Sequence, residues 1–137
     1  MIVVDTNLIG YLYLESKHSP QAEQVLRIDA DWAAPRLWRS EFRSVLALYM
    51  RKHGLPLEAS QQTMDAALYQ MDGREYEVDS QRVLRLVAGS TCSAYDCEFV
   101  ALAQELGTVL VTSDKQILRD FPDVAVSMDA FADVNRA

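Results

Sequence analysis

The chain is short of the residues that most often carry chemistry alone. Among 137 residues there are two cysteines and two histidines. Cys92 and Cys97 are spaced neither as a CxxC pair nor as a zinc ribbon, and on one helix they would not face each other. They read as reduced, buried thiols of a cytosolic protein. His18 and His53 have no partner at HExxH spacing. His18 falls in a turn before Pro20 and His53 at a helix end before Gly54, so both read as surface residues. Positive charge is also scarce: 13 Lys and Arg against 20 Asp and Glu leave a net charge of −7. Such a balance argues against unaided nucleic-acid binding, which depends on basic side chains. It favours solubility and a basic protein partner. No apolar run approaches the roughly 20 residues of a membrane span. The N-terminus lacks a basic lead and a small-residue cleavage site, so no signal peptide is expected. There is no internal repeat and no low-complexity tract.

What remains is an ordinary globular composition, 50% hydrophobic and 24% charged, in a length suited to one domain. Strands are expected at Ile2 to Asp5, at Trp32 to Ala34 (stopped by Pro35), at Tyr76 to Val78, at Thr108 to Thr112 and at Val124 to Ser127. Helices are expected from Thr6 to Glu15, from a Ser19-Pro20 start to Ile28, from Arg36 to Lys52 before Gly54, and from Leu55-Pro56 to Met71. Others run from an Asp79 cap to Ala88, from Ser93 to Leu106 before Gly107, from Lys115, and from Met128 to Val134. Ser93 with Asp96 three residues on has the pattern of a capping box. Alternating strands and helices predict an α/β fold with a parallel sheet covered on both faces.

Four carboxylates stand where a bare charge is costly. Asp5 and Asp114 follow the apolar runs Ile2-Val3-Val4 and Val109-Leu110-Val111-Thr112, and each precedes a helix. Ligands of open parallel sheets bind at that end of the strands; a helix N-cap is the plain alternative for either acid. Glu41 lies within the apolar arc of Leu37, Leu48, Val45, Trp38, Tyr49, Phe42 and Leu46, at about 100° per residue. A buried Glu paired with an arginine would serve equally well there. Asp96 shares a helix side with Phe99, Val100, Ala103 and Leu106, while Glu98 and Glu105 mark the solvent side; simple helix-dipole complementation would account for it. Together the four make a constellation. With no Lys or Arg placed to pair with them all, a divalent metal is the economical compensator. Oxygen ligands point to Mg²⁺ or Mn²⁺ rather than zinc, and such a site suits phosphodiester hydrolysis. Thr6, Asn7, Thr112 and Ser113 are candidate supporting or phosphate-binding donors, with turn and cap chemistry as their alternative.

These residues resemble a known family. Val3-Val4-Asp5-Thr6-Asn7, Ser40-Glu41-Phe42, the stretch Ser93 to Ala103, and Leu110-Val111-Thr112-Ser113-Asp114 are similar to the motifs of PIN-domain nucleases, within them the VapC-type toxin ribonucleases. Cys97 stands where a small residue, usually alanine, is expected. The resemblance runs from Ile2 to about Val126. It implies a three-layer PIN-like fold over residues 1–137, with four to five mostly parallel strands. It implies an acidic Mg²⁺ site of Asp5, Glu41, Asp96 and Asp114, with Asp5 and Asp96 the most direct ligands and Thr112 beside the last acid. It implies metal-dependent cleavage of RNA in the cytoplasm, a homodimer, and silencing by a small cognate antitoxin.

Arg36, Arg39 and Arg43 form a basic face on the third helix, turned away from Glu41 and read as solvated or partner-facing. Arg36 and Lys115, near helix starts, remain candidates for RNA phosphate contact. Met64, Leu68 and Met71 read as packing. Two rivals stand beside the nuclease. One is a phosphatase-like enzyme with Asp5 as nucleophile, although Asn7 stands where the second acid of a D-x-D would be. The other is a catalytically silent PIN-like binding module.

Overall fold

β1 (Ile2–Val4) is buried along its whole length, as a central strand of a covered parallel sheet must be. In the computed structural model, which describes residues 1–135, β1 pairs with β2 (Trp32–Pro35) on one side and β4 (Leu110–Val111) on the other. β3 (Glu75–Tyr76) adds to β2, and β5 (Ala125–Val126) to β4. All pairings are parallel, in the order β3-β2-β1-β4-β5. The expected α/β class and five-stranded parallel sheet are borne out. The last two positions of the expected 1–137 domain lie outside the described residues.

The chain moves from β1 out to β2 and β3, then returns to the far side of β1 for β4. The strand order therefore reverses at the β1–β4 seam, the switch point at which open α/β sheets bind ligands. Val4 and Val111 are in register across it, and the amide of Asp5 donates to the Val111 carbonyl. Asp5 and Thr112 thus leave the sheet side by side.

The helices are α1 (Thr6–Tyr13), α2 (Ser19–Ile28), α3 (Trp38–His53), α4 (Leu57–Gln70), α5 (Ser80–Ala88), α6 (Ala94–Leu106), α7 (Lys115–Asp120) and α8 (Met128–Val134). α6 lies across β1, β2 and β4 and also packs on α5. It is therefore buried nearly all round: Cys97 and the run Phe99 to Ala103 are all in the core. α1 packs on α3, and both contact α4. Trp32 and Trp38 are fully buried, and each indole N–H is satisfied, by the Asp29 carbonyl and the Glu75 carboxylate. No helix among the described residues is long and apolar enough to cross a membrane.

Several local expectations are corrected. α3 starts at Trp38; Arg36 stays extended enough for its amide to bond the Tyr76 carbonyl and prolong the β2–β3 ladder. Pro35 closes β2 instead of stopping it, since β2 needs no N–H there. β3 begins one residue early, at Glu75. β4, the strongest strand signal, keeps only two ladder residues. Pro56 is the N-cap of α4. Ser19 does not cap α2; its hydroxyl donates to the Tyr11 carbonyl, 2.6 Å away, and ties α2 back to α1. Leu48, placed in the apolar arc of α3, is 47% exposed. Met71 is fully buried, with Met64 and Leu68 packed against the core, as read.

Candidate functional site

Asp5, Glu41, Asp96 and Asp114 all line one cleft of about 550 Å³ above the β1–β4 seam. They come from four separate elements. Asp5 follows β1, Asp114 follows β4, Glu41 lies in the first turn of α3 and Asp96 in the first turn of α6. None of the other lining residues is basic: Thr6, Asn7, Ser40, Ser44 and Tyr95 are polar, and Leu37, Val45, Phe99 and Ile117 form apolar walls.

The plain explanations of these acids prove true and do not exclude a site. Asp5 caps α1, its Oδ1 accepting the Leu8 amide. Asp114 caps α7, its Oδ1 accepting the amides of Gln116 and Ile117 at 2.8 and 3.0 Å. Ser93 caps α6 by accepting the Asp96 amide at 3.1 Å. The return bond to the Ser93 amide is not made among the described residues; Asp96 lines the cleft, and the Ser93 hydroxyl acts on its carboxylate.

Two threonines hold the acids. The Thr112 hydroxyl, fully buried, donates to Asp5 Oδ2 and accepts the Asp114 amide at 3.0 Å, so one side chain links both strand-end acids. The Thr6 hydroxyl donates to Glu41 Oε1 at 2.7 Å. Asn7 is exposed on the cleft lining. Ser113 is not part of it; its hydroxyl meets that of Tyr11.

Burial pushes the Asp5 carboxyl up to about 6, against hydrogen bonds from Thr112 and from the amides of Leu8, Ser113 and Asn7. Burial also raises Glu41, opposed by the Thr6 hydroxyl and reinforced by the charge of Asp96. Asp96 is raised by burial and by the charge of Asp114. Beyond burial, Glu41 thus senses Asp96, and Asp96 senses Asp114, as like charges. This is the electrostatic condition that a bound dication relieves. The donor set, carboxylates with hydroxyls and no thiol or imidazole, fits a hard cation. Among the described residues no three acids already stand close enough to grip an ion, since Asp5 and Asp114 turn oxygens toward helix amides.

Glu98 corrects the reading of α6. Expected on the solvent side, it is half-buried, and after burial itself the charges of Glu41 and Glu77 raise its pKa. Of the basic face, Arg36 and Arg43 are exposed as expected, and Arg39 is corrected. Arg39, though partly open, is not free for a partner: it grips Glu75 of β3 through two nitrogens at 2.5 Å. Arg43 donates to Ser40. Arg36, 3.8 Å from Glu77, sits in a neighbouring hollow with Tyr76 and Glu98, and Lys115 is exposed at the start of α7. Neither lines the acidic cleft. Ser40, Ser44 and Tyr95 do line it and were not singled out from sequence. Ser44, at i+3 from Glu41, and Tyr95, beside Asp96, could have been found from helical spacing.

The sequence profile of the PIN domain matches residues 2–124. PAE2754 from Pyrobaculum aerophilum has a similar crystal structure, with a TM-score of 0.68 and 17% identity over 98% of this chain and 95% of that one. FitAB bound to IR36 DNA fragment is similar at 0.68 and 19% identity, over 93% and 95%. FitAcB from Neisseria gonorrhoeae is similar at 0.67 and 20%, over 93% and 96%. At such identities the likeness speaks for the fold. No curated protein matches the sequence significantly. PIN domains are in general nucleases, and they typically use divalent metal ions. With its profile matched almost from end to end, the chain belongs to the PIN-domain family.

Proposed function

We propose that the protein is a Mg²⁺-dependent endoribonuclease, with Mn²⁺ as a competent substitute, that hydrolyses RNA phosphodiesters. The observation that carries this is the meeting of four chain-distant carboxylates in one cleft with no basic residue among its lining. Asp5 and Asp96 would hold the ion, with Glu41 and Asp114 completing its shell directly or through water. When bound, the ion supplies a Lewis acid that neutralises the phosphate, activates water and steadies the leaving oxygen.

The chain's own residues prepare that site. Thr112 and the Leu8 amide fix both oxygens of Asp5. Thr6 holds Glu41 toward the cleft. Asn7, Ser40 and Ser44 offer hydrogen bonds to a phosphate or ribose there. Arg36 and Lys115 flank the cleft as candidate phosphate contacts farther along the strand. Because burial raises the Asp5 carboxyl to about 6, taking up the ion below that pH would release its proton.

The same geometry disfavours a phosphatase with Asp5 as nucleophile. Asp5 is 7% exposed, and Asn7 stands where the second acid of a D-x-D motif would be needed as general acid. A silent binding module would gain nothing from four acids gathered in one cleft with no basic residue in its lining. The resemblance to VapC-type toxins extends the proposal to a toxin working in the cytoplasm as a homodimer. A small antitoxin with a basic segment would complement the acidic cleft.

The deciding test is cleavage of total RNA by purified protein with and without Mg²⁺ or Mn²⁺, beside Asp5→Asn and Asp96→Asn. Metal-dependent cutting lost in both variants is expected. Equal cutting by all three proteins would assign the activity to a contaminant.

A further inference from the structure

The cleft poses a binding problem. A polyanion must enter among four carboxylates, and no basic side chain lines the walls. A metal can neutralise the reacting phosphate, but the flanking nucleotides need contacts that do not depend on positive charge. Aromatic stacking is such a contact, since every base has a π face.

The chain has six tyrosines. Tyr11, Tyr13 and Tyr76 place their hydroxyls against Ser113, Gln70 and Met1, and Tyr49 packs on His53. The hydroxyls of Tyr69 and Tyr95 make no hydrogen bond, and their rings meet no other ring, among the described residues. Tyr69 lies on α4, away from the acids. Tyr95 is 63% exposed and lines the acidic cleft, one residue before Asp96. Its backbone is fixed in the first turn of α6 by the Ser93 cap. A large exposed ring thus rises beside the acids from a fixed backbone position.

We infer that Tyr95 is a base-stacking platform, a positioning residue on whose ring an unpaired base of the nucleic acid is laid. A duplex hides its base faces in its own stack, so it cannot use this contact. Specificity at this position is for an unpaired base and tolerant of which base it is. The inference rests on the nuclease reading above and names the residue that would position a nucleotide beside the acids.

The test is fluorescence anisotropy with a labelled single-stranded RNA, Mg²⁺ and the Asp5→Asn protein as host, so that binding is read without turnover. Adding Tyr95→Ala is expected to weaken binding roughly tenfold to a hundredfold, while Tyr95→Phe and Tyr95→Trp stay within about threefold. Replacing one nucleotide at a time by an abasic residue should reveal a position at which abasic RNA and Tyr95→Ala cost no more together than apart. In the otherwise unchanged enzyme the Tyr95→Ala loss should fall mainly on KM. Unchanged binding by Tyr95→Ala overturns the inference. So does Tyr95→Phe matching Tyr95→Ala, which would assign the hydroxyl and not the ring. Equal affinity for the matching duplex overturns it too, as does a drop in sedimenting mass on Tyr95→Ala, which would make the ring a contact between copies of the chain. Parent protein that neither cuts nor binds RNA removes the nuclease reading and this one together. Parent protein that cuts while Tyr95→Ala binds equally removes this one alone.

Discussion

The hydroxyl of Thr6 donates to Glu41 Oε1 at 2.7 Å, joining the first turn of α1 to the first turn of α3 across 35 positions of sequence. Glu41 is half-buried and raised by burial, and this bond is what opposes the rise. Thr6→Val keeps the shape and removes the donor. The proposed metal affinity should fall about 10- to 100-fold, as for other residues that orient a ligand. Thr6→Ser should restore most of it. Cleavage titrated against Mg²⁺ concentration reads both.

Asp5 yields a prediction of pH-dependent stability in metal-free protein. Its carboxyl is raised from 3.8 to about 6 in the fold. The folded state therefore binds the proton more tightly than the unfolded one. Below pH 3.8 both states are protonated and Asp5 contributes nothing. As pH climbs to about 6, folding loses stability, and above that the full cost of roughly 3 kcal/mol remains. Glu41 and Asp96 shift in the same direction. In EDTA the melting temperature should fall across this window. Asp5→Asn should flatten the fall and melt higher at neutral pH while losing cleavage.

Metal should reverse that penalty. At free Mg²⁺ or Mn²⁺ about one hundred times its Kd, the wild type should gain about 2.7 kcal/mol. Asp5→Asn and Asp96→Asn should gain far less, and EDTA should remove the effect. Thermal melts at fixed neutral pH measure it. An equal gain in the variants would place the ion elsewhere.

Arg39 and Glu75 join α3 to the edge strand β3, and the Trp38 indole shares the carboxylate. The Glu75 side chain is 8% exposed, so losing its partner leaves a poorly solvated charge. Arg39→Ala should cost about 2 kcal/mol, below a fully buried pair because Arg39 itself is partly open. Urea denaturation checks it. Arg39→Met with Glu75→Leu should recover much of the loss.

Much of the fold could be read directly because its signals are local. Gly54 and Gly107 do end α3 and α6 in the left-handed conformation that favours glycine. Asp79 and Ser93 do cap α5 and α6. Errors fell where a distant partner decides the outcome. Arg36 leaves the helix because Tyr76 offers it a strand bond. Glu98 looked solvent-facing on a helical wheel, but α6 is enclosed by the sheet and α5, so even its polar side is only half-open.

The candidate site divides in the same way. Sequence alone determined the four acids, because an ionised group at the end of an apolar strand or within an apolar helix stripe is an energetic anomaly visible in one dimension. It also determined the alternating strands and helices that send two of those acids to the same end of a parallel sheet. Only the tertiary structure decided that strand order reverses between β1 and β4, bringing Asp5 and Asp114 to one seam with Thr112 linking them. Only it decided that Glu41 and Asp96 converge there from different helices, that Arg39 is spent on Glu75, and that Tyr95 stands free at the acids. The physical reason is that a cost of burial can be read from neighbours along the chain, whereas its compensation comes from whatever folding brings close in space.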